Sequence, residues 1–249
     1  MNYTLHKNQK SIHIVIFTGG EAPEPLETKT FWKNPLHGEA DYVIAADSGL
    51  ETLEKFRSFY AEGLDFYPDL ITGDFDSLSS RKFLDSFSDC RIDSYNCDKD
   101  FTDTELALRK ASEYAASVNV VPYITLIGGD GGRTDHFINI LSSFSSDFHC
   151  NSWLCKNQQL LLLEKGSSYF ISGLKKSDYV SFVNIYSKGN KIKTEGLCWE
   201  AENFRASFMP SISNRISPLY ESQNKPVKVK PCAEGFIVIV PYSASVIKN

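Results

Sequence analysis

Short apolar runs in the first half of the chain alternate with segments whose apolar residues recur at helical spacing. Residues 12–17, 42–46 and 122–127 are nearly continuous in apolar character, and 68–72 carries Leu70 and Ile71 at its centre. Such runs read as strands buried on both faces. Between them, Leu50, Leu53, Phe56 and Tyr60 share one helical face, as do Leu106, Lys110 and Tyr114, and then Phe137, Ile138, Leu141 and Phe144. Thr102 followed by Glu105 has the capping-box form, which predicts a helix running to about Val118. Ser79 reads as the N-cap of a short helix carrying Phe83, Leu84 and Phe87. Residues 21–38 hold Pro23, Pro25 and Pro35 and read as a loop. Strands alternating with helices predict a mostly parallel sheet with helices on both faces.

Near residue 150 the pattern changes. Residues 153–155 and 160–163 read as strands, and after Gly166 no long helical period returns. Short candidate strands follow at 169–171, 179–186, 191–194, 204–208, 227–230 and 235–240, separated by Gly, Pro, Asn or Ser. That spacing predicts a small antiparallel sandwich or barrel. The expected organisation is an α/β domain over residues 1–155 and an all-β sandwich over 156–249.

A length of 249 residues accommodates one large domain or two modest ones, and 42% apolar content supplies an ordinary core. The net charge of −5 argues against broad nucleic-acid binding, because no basic excess is present to neutralise phosphates. Lys188, Lys191 and Lys193 read as a solvated face, with a small-anion site as the alternative. None of the six cysteines forms a CxxC pair or a metal-spaced set with histidine. The first apolar run is too short for a signal-peptide core, and nothing approaches the roughly 20 apolar residues that span a bilayer. These features predict a soluble cytoplasmic protein with reduced thiols and no membrane partner.

The chemistry concentrates where the predicted strands end. Gly19-Gly20, Asp47-Ser48-Gly49, Gly73-Asp74-Phe75-Asp76 and Gly128-Gly129-Asp130 each close an apolar run. In a parallel sheet those ends lie along one edge, where open α/β sheets bind ligands. In extended backbone, Asp74 and Asp76 point to the same side. Two anions that close repel unless a cation lies between them or one is protonated, which predicts a divalent metal. Carboxylates without Cys or clustered His favour Mg²⁺ over Zn²⁺. Asp103, beside the Thr102 cap, is a third acid at a helix start, where it also suits the helix dipole. Arg133 and Asp135 suit an intrahelical pair, but next to the turn at residues 128–132 Arg133 also suits a bidentate grip on phosphate. His136 is open between capping, packing and ligand contact. Neither GxxxxGK[ST] nor GxGxxG is present, so the expected phosphoryl chemistry does not use a P-loop or an ordinary dinucleotide fold.

Taken together, Ala46-Asp47-Ser48-Gly49, residues 68–77, Asp98-Lys99-Asp100-Phe101-Thr102-Asp103 and residues 128–136 resemble the thiamine pyrophosphokinase family. Thr194-Glu195-Gly196-Leu197-Cys198-Trp199 and Ser211-Ile212-Ser213-Asn214 resemble that family's later motifs, in the same order, so the likeness spans residues 12 to 240. The resemblance implies transfer of a pyrophosphoryl group from ATP to the hydroxyl of thiamine, giving thiamine diphosphate and AMP. It implies that Asp74, Asp76 and Asp103 hold Mg²⁺ and phosphates, with Asp47 close by and Lys99 near the substrates. Arg133 and Asp135 would complete the phosphate site. Trp199, Ser211 and Asn214 would help form a thiamine pocket between the subunits of a homodimer. For Trp199 the alternative is a core aromatic of the sandwich. Ser48 departs from the glycine usual in the family, and residues 179–186 lack a proline often found there. The rival functions are a pyrophosphokinase of another heteroaromatic alcohol, such as a hydroxymethylpterin, and a non-catalytic thiamine- or nucleotide-binding module.

Overall fold

The apolar runs of the first half become the strands of a sheet covered on both faces. The structure, a computed structural model, describes residues 10–33, 39–60, 66–79, 82–96, 100–186, 190–201 and 213–249. Strands β1 (Ser11–Thr18), β2 (Tyr42–Ala46), β3 (Leu70–Gly73), β4 (Arg91–Ser94), β5 (Val121–Ile127) and β6 (Ser152–Leu154) pair in parallel in the order β4-β3-β2-β1-β5-β6. Alternation along β1 shows why both faces must be covered. Ile14 and Ile16 enter one core with Ala107, Leu108, Ala111 and Phe144, while Val15 and Phe17 enter another with Leu50, Leu53, Phe56 and Trp32. The first core is built by helices α4 (Asp103–Ser117) and α5 (Thr134–Ser143), the second by α2 (Gly49–Phe59) and α1 (Lys29–Trp32).

In the first half, two elements depart from the sequence expectation. Part of the proline-bearing stretch at 21–38 is helical, with a 3-10 turn at Pro25–Thr28 leading into α1. Proline is compatible with a first helical turn because its missing N–H has no intrahelical partner there. Phe31 and Trp32 then bury themselves, and Trp32 Nε1 donates to Thr28 Oγ1 at 2.9 Å. Strand β4 has no apolar run to announce it. It is a largely exposed edge strand whose Arg91 guanidinium donates twice, at 2.9 Å, to Asp93, and polar edges of that kind discourage further pairing. The short helix after Ser79 is α3 (Lys82–Asp85).

The second half begins by extending the same sheet. Strand β7 (Gln159–Leu163) pairs antiparallel with β6, and β12 (Phe236–Val240) and β9 (Ser181–Val183) continue beyond it. A second antiparallel sheet has the order β10-β11-β8-β13, from β10 (Ile192–Glu195), β11 (Val227–Pro231), β8 (Tyr169–Ser172) and β13 (Ser245–Lys248). Leu161, Leu163, Phe182, Phe236 and Val238 meet Ile171, Ile192, Val227, Val229 and Val246 in one core, so the two sheets face each other as a sandwich. The strand expected at 179–186 is confined to Ser181–Val183, because the Val180 N–H donates to the Asn214 carbonyl at 2.8 Å instead of joining the ladder. A short helix, α6 (Pro218–Ser222), precedes β11. The strand expected at 204–208 lies outside the described residues.

Trp153 ties this framework to the glycine turn after β5. Its indole is fully buried, and Nε1 donates to the Gly128 carbonyl at 2.6 Å. Replacing Trp153 with Phe keeps most of the packing and leaves that carbonyl without its donor, at a cost of about 1–3 kcal/mol. Urea unfolding should show this loss with an unchanged m-value. A change below about 0.5 kcal/mol, the scale of an ordinary surface substitution, would show that the bond is not needed.

Candidate active site

Strand register aligns the chemically interesting residues. Thr18 pairs with Ala46, Ala46 with Thr72, and Phe17 with Ile127. Gly19, Asp47, Asp74 and Gly128 therefore emerge at the C-terminal edge of adjacent strands. The chain order runs outward in both directions from β1, so the switch point lies between β1 and β5, where such sheets form a crevice. A cavity of about 750 Å³ opens there, with a wall that includes Gly19, Asp47, Asp74, Asp103, Gly132 and Arg133. Close packing underlies it: a Cβ on Gly128 (φ +98°) would lie 2.4 Å from the Thr18 carbonyl, and one on Gly49 would lie 2.3 Å from the Phe17 carbonyl. Ser48, the departure from the usual family glycine, has helical φ and ψ and sets its hydroxyl against Gly19.

Three acids converge in the crevice: Asp47, Asp74 and Asp103 each offer an oxygen, all within 4.8 Å of one another. Asp47 is held in the left-handed region (φ 49°), with its N–H donating to Thr72 O at 2.9 Å and its carbonyl accepting from Leu50 N at 3.1 Å. Asp103 is the first residue of α4, and the predicted capping box is present: Glu105 N donates to Thr102 Oγ1 at 3.2 Å and Thr102 N to Glu105 Oε2 at 2.9 Å. A 2.7 Å hydrogen bond between the Thr18 and Thr104 hydroxyls anchors that helix start to the end of β1. Asp76 lines the cavity but lies outside the cluster. The reason is backbone geometry. The strand stops at Gly73, Phe75 turns at φ 59° to bury its ring, and Asp76 faces solvent, accepting from Ser77 Oγ at 2.9 Å. The two-residue alternation of an extended strand does not reach it, and Asp47 stands with Asp74 in its place.

The electrostatics of this cluster favour a cation. Asp47 is buried, and its Oδ1 has no hydrogen-bond partner among the described residues. Burial pushes its pKa above the ordinary value, the neighbouring Asp103 and Asp74 charges push the same way, and the Ser48 backbone N–H and the nearby Ser77 hydroxyl offset part of the shift. A hard divalent cation such as Mg²⁺ fits an oxygen-only set with an orphaned buried carboxylate oxygen.

Groups of the kind that suit anions line the rest of the cavity. The N-terminal ends of α2, α4 and α5 all border it, through Ser48, Thr102 to Glu105, and Arg133. Helix N-termini carry partial positive charge and free N–H groups suited to phosphate. The turn after β5 is pinned by Gly129 N donating to Gly19 O at 2.8 Å and by mutual backbone bonds of Glu21 and Asp130 at 2.7 and 3.1 Å. Arg133 donates to Asp135 through Nε at 3.2 Å and Nη2 at 2.6 Å. Both groups are exposed, and the pairing raises the arginine pKa and lowers that of the acid. The pair thus exists within the helix start while Arg133 still lines the cavity.

Thr18, Thr104, Asp100, Phe101, His136 and Asn139 also line the cavity, and the motifs had assigned none of them a role. Asn139 follows His136 by one helical turn, a spacing that could have nominated it. Nothing local marks Thr18 and Thr104, whose contact joins positions 86 residues apart. Trp199 and Asn214 do not line this cavity. The Asn214 side chain clamps the Trp199 backbone, accepting from its N–H at 3.2 Å and donating to its carbonyl at 2.8 Å. The Trp199 indole remains 44% exposed, with the Arg215 guanidinium 5.0 Å from its centroid. That exposure distinguishes it from a core aromatic. Lys99 and Ser211 lie outside the described residues.

The switch-point crevice of this α/β sheet thus joins clustered carboxylates to helix N-termini, a glycine turn and an arginine. Residues 34–153 match the family model of the thiamin pyrophosphokinase catalytic domain. The α/β part of the chain is thus similar to that family's catalytic domain over this stretch. The fold is similar to that of the thiamin pyrophosphokinase from Candida albicans, with 18% identity, TM-score 0.63 and coverage of 94% of this chain and 93% of that one. It is also similar to the thiamine pyrophosphokinase from Bacillus subtilis, with 21% identity, TM-score 0.62 and coverage of 93% and 99%. A thiamin pyrophosphokinase family protein from Enterococcus faecalis gives 21% identity, TM-score 0.63 and coverage of 92% and 98%. No curated protein matches the sequence.

The raised Asp47 pKa makes the metal-free stability depend on pH. The unfolded chain loses this proton at lower pH than the folded chain does, so metal-free stability falls as pH rises above the ordinary carboxylate value. Asp47→Asn removes the buried charge and should raise the melting temperature in EDTA by about 2–4 °C, equivalent to about 1 kcal/mol. The same change should abolish the further rise that added Mg²⁺ produces in the unaltered protein. A lower melting temperature in EDTA would overturn the repulsion argument.

Proposed function

We propose that the protein is a thiamine pyrophosphokinase that transfers the β,γ-pyrophosphoryl group of ATP to the hydroxyl of thiamine, giving thiamine diphosphate and AMP. The observation that carries this reading is the Asp47–Asp74–Asp103 cluster facing helix N-termini and Arg133. All four residues fall within the stretch that matches the family model. The three carboxylates would hold Mg²⁺, which when bound neutralises phosphate oxygens and orients the triphosphate. The N–H groups of the glycine turn and the α4 and α5 starts cradle the phosphates. Arg133, oriented by Asp135, offsets charge that develops as the bond between the α-phosphate and the β-phosphorus breaks. The thiamine oxygen bonds to the β-phosphorus, AMP leaves, and a carboxylate of the crevice accepts the hydroxyl proton. Asp76 and Lys99 belong to the proposed phosphate-binding set.

The reading assigns thiamine to a pocket formed with Trp199, Ser211 and Asn214. Asn214 would act there by fixing the Trp199 loop, a role supported by its two bonds to that backbone. The exposed indole, outside the cavity of its own chain, is compatible with a homodimer whose partner completes the pocket. We take residue 155 as the division between the catalytic part and the sandwich, and place the enzyme in the cytoplasm. The described cysteines are free thiols, as expected there. No described helix is long and apolar enough to cross a membrane.

Incubation with ATP, Mg²⁺ and thiamine should release AMP and thiamine diphosphate in equal amounts. Asp74→Asn and Asp103→Asn should each lower turnover by roughly a thousandfold while leaving the far-UV circular dichroism unchanged. Production of AMP from a hydroxymethylpterin but not from thiamine would reassign the substrate. Full activity in both variants would remove the metal assignment.

A further inference from the structure

The mouth of the cavity carries an apolar ring that the proposed phosphate chemistry does not use. Phe101 is the only phenylalanine, tyrosine or tryptophan among the described residues lining it, and 42% of its surface is exposed. It directly precedes Thr102, the N-cap of α4, so its backbone position is set by the capping box. The Arg109 guanidinium, two helical turns along α4, lies 4.2 Å from the centre of the Phe101 ring and 5.4 Å from that of Phe148. With its backbone set by the cap and a cation on one face, the ring is an apolar platform beside a cavity lined by carboxylates.

We infer that Phe101 is the stacking platform for the nucleobase of the phosphate donor, with Arg109 its positioning residue. The inference rests on the reading of the crevice as a nucleoside triphosphate site. Aromatic faces bind bases by stacking in a sequence-tolerant way, since every base presents a π-face. The guanidinium also gives the platform a preference. A cation on one face draws on the ring's negative quadrupole, so a second cation gains little from the other face, whereas a neutral, electron-rich base stacks well. Thiamine carries a cationic thiazolium ring and adenine is neutral. The pair Phe101–Arg109 thereby directs the base, not the acceptor, to this wall of the cavity.

Calorimetric titration of the full-length protein, in Mg²⁺, with a non-hydrolysable ATP analogue and separately with inorganic tripolyphosphate tests this. Phe101→Ala and Phe101→Leu should weaken the nucleotide roughly tenfold and leave tripolyphosphate within about twofold, and Phe101→Trp should retain nucleotide affinity. Arg109→Met should lower nucleotide affinity less than Phe101→Ala and leave tripolyphosphate unaffected. Unchanged nucleotide affinity in Phe101→Ala, or an equal loss for both ligands, would overturn the platform. Binding of neither ligand to the unaltered protein would overturn the triphosphate site and the platform together. Nucleotide binding with the predicted Phe101 dependence, but without thiamine turnover, would count against the proposed function and uphold the platform.

Discussion

Mutual repulsion among Asp47, Asp74 and Asp103 is the constraint around which the fold is arranged. Carboxylates within 4.8 Å of one another persist only if the backbone cannot relax away from the strain. Each acid is accordingly fixed by something stiffer than a loop. Asp47 is bonded to the neighbouring strand end through Thr72, Asp74 follows the last residue of β3, and Asp103 sits inside a capping box docked on β1 by Thr104. Three helix dipoles directed at the same crevice supply partial positive charge that lessens the repulsion and suits the phosphates. Clustered negative charge and converging positive dipoles thus arise from one arrangement.

Much of the fold was legible because its signals are local. The apolar runs of β1, β2 and β5 and the capping box of α4 each depend on neighbours within a few positions. Element starts such as Asp103 could therefore be read almost to the residue. What escaped depended on distant partners. Helix α1 is stabilised by burying Phe31 and Trp32 against the sheet, and β4 exists because β3 offers it an edge. Neither is encoded in its own periodicity.

The site shows the same division. The carboxylates could be nominated from strand ends, but their grouping required tertiary geometry. Phe75 buries its ring by adopting a positive φ, which turns Asp76 away and leaves Asp47 to stand beside Asp74. A pairing rule for extended backbone cannot anticipate a residue that leaves the strand to fill the core. Asn214 is a similar case. Its side chain is spent on the Trp199 backbone, so its contribution is to hold the loop.

Strands β7 and β12 are shared by both cores. Leu160 and Ile237 face the core beneath α4 and α5, while Leu161, Leu163, Phe236 and Val238 face the sandwich. The two halves of the molecule lean on opposite sides of one wall. Severing the chain after residue 155 would strip an apolar face from each product, so neither half inherits a finished surface. Shuffling either half onto a foreign neighbour would require that neighbour to bring a matching strand edge and a matching oily face. Two halves joined in this way are expected to be exchanged in evolution as one piece.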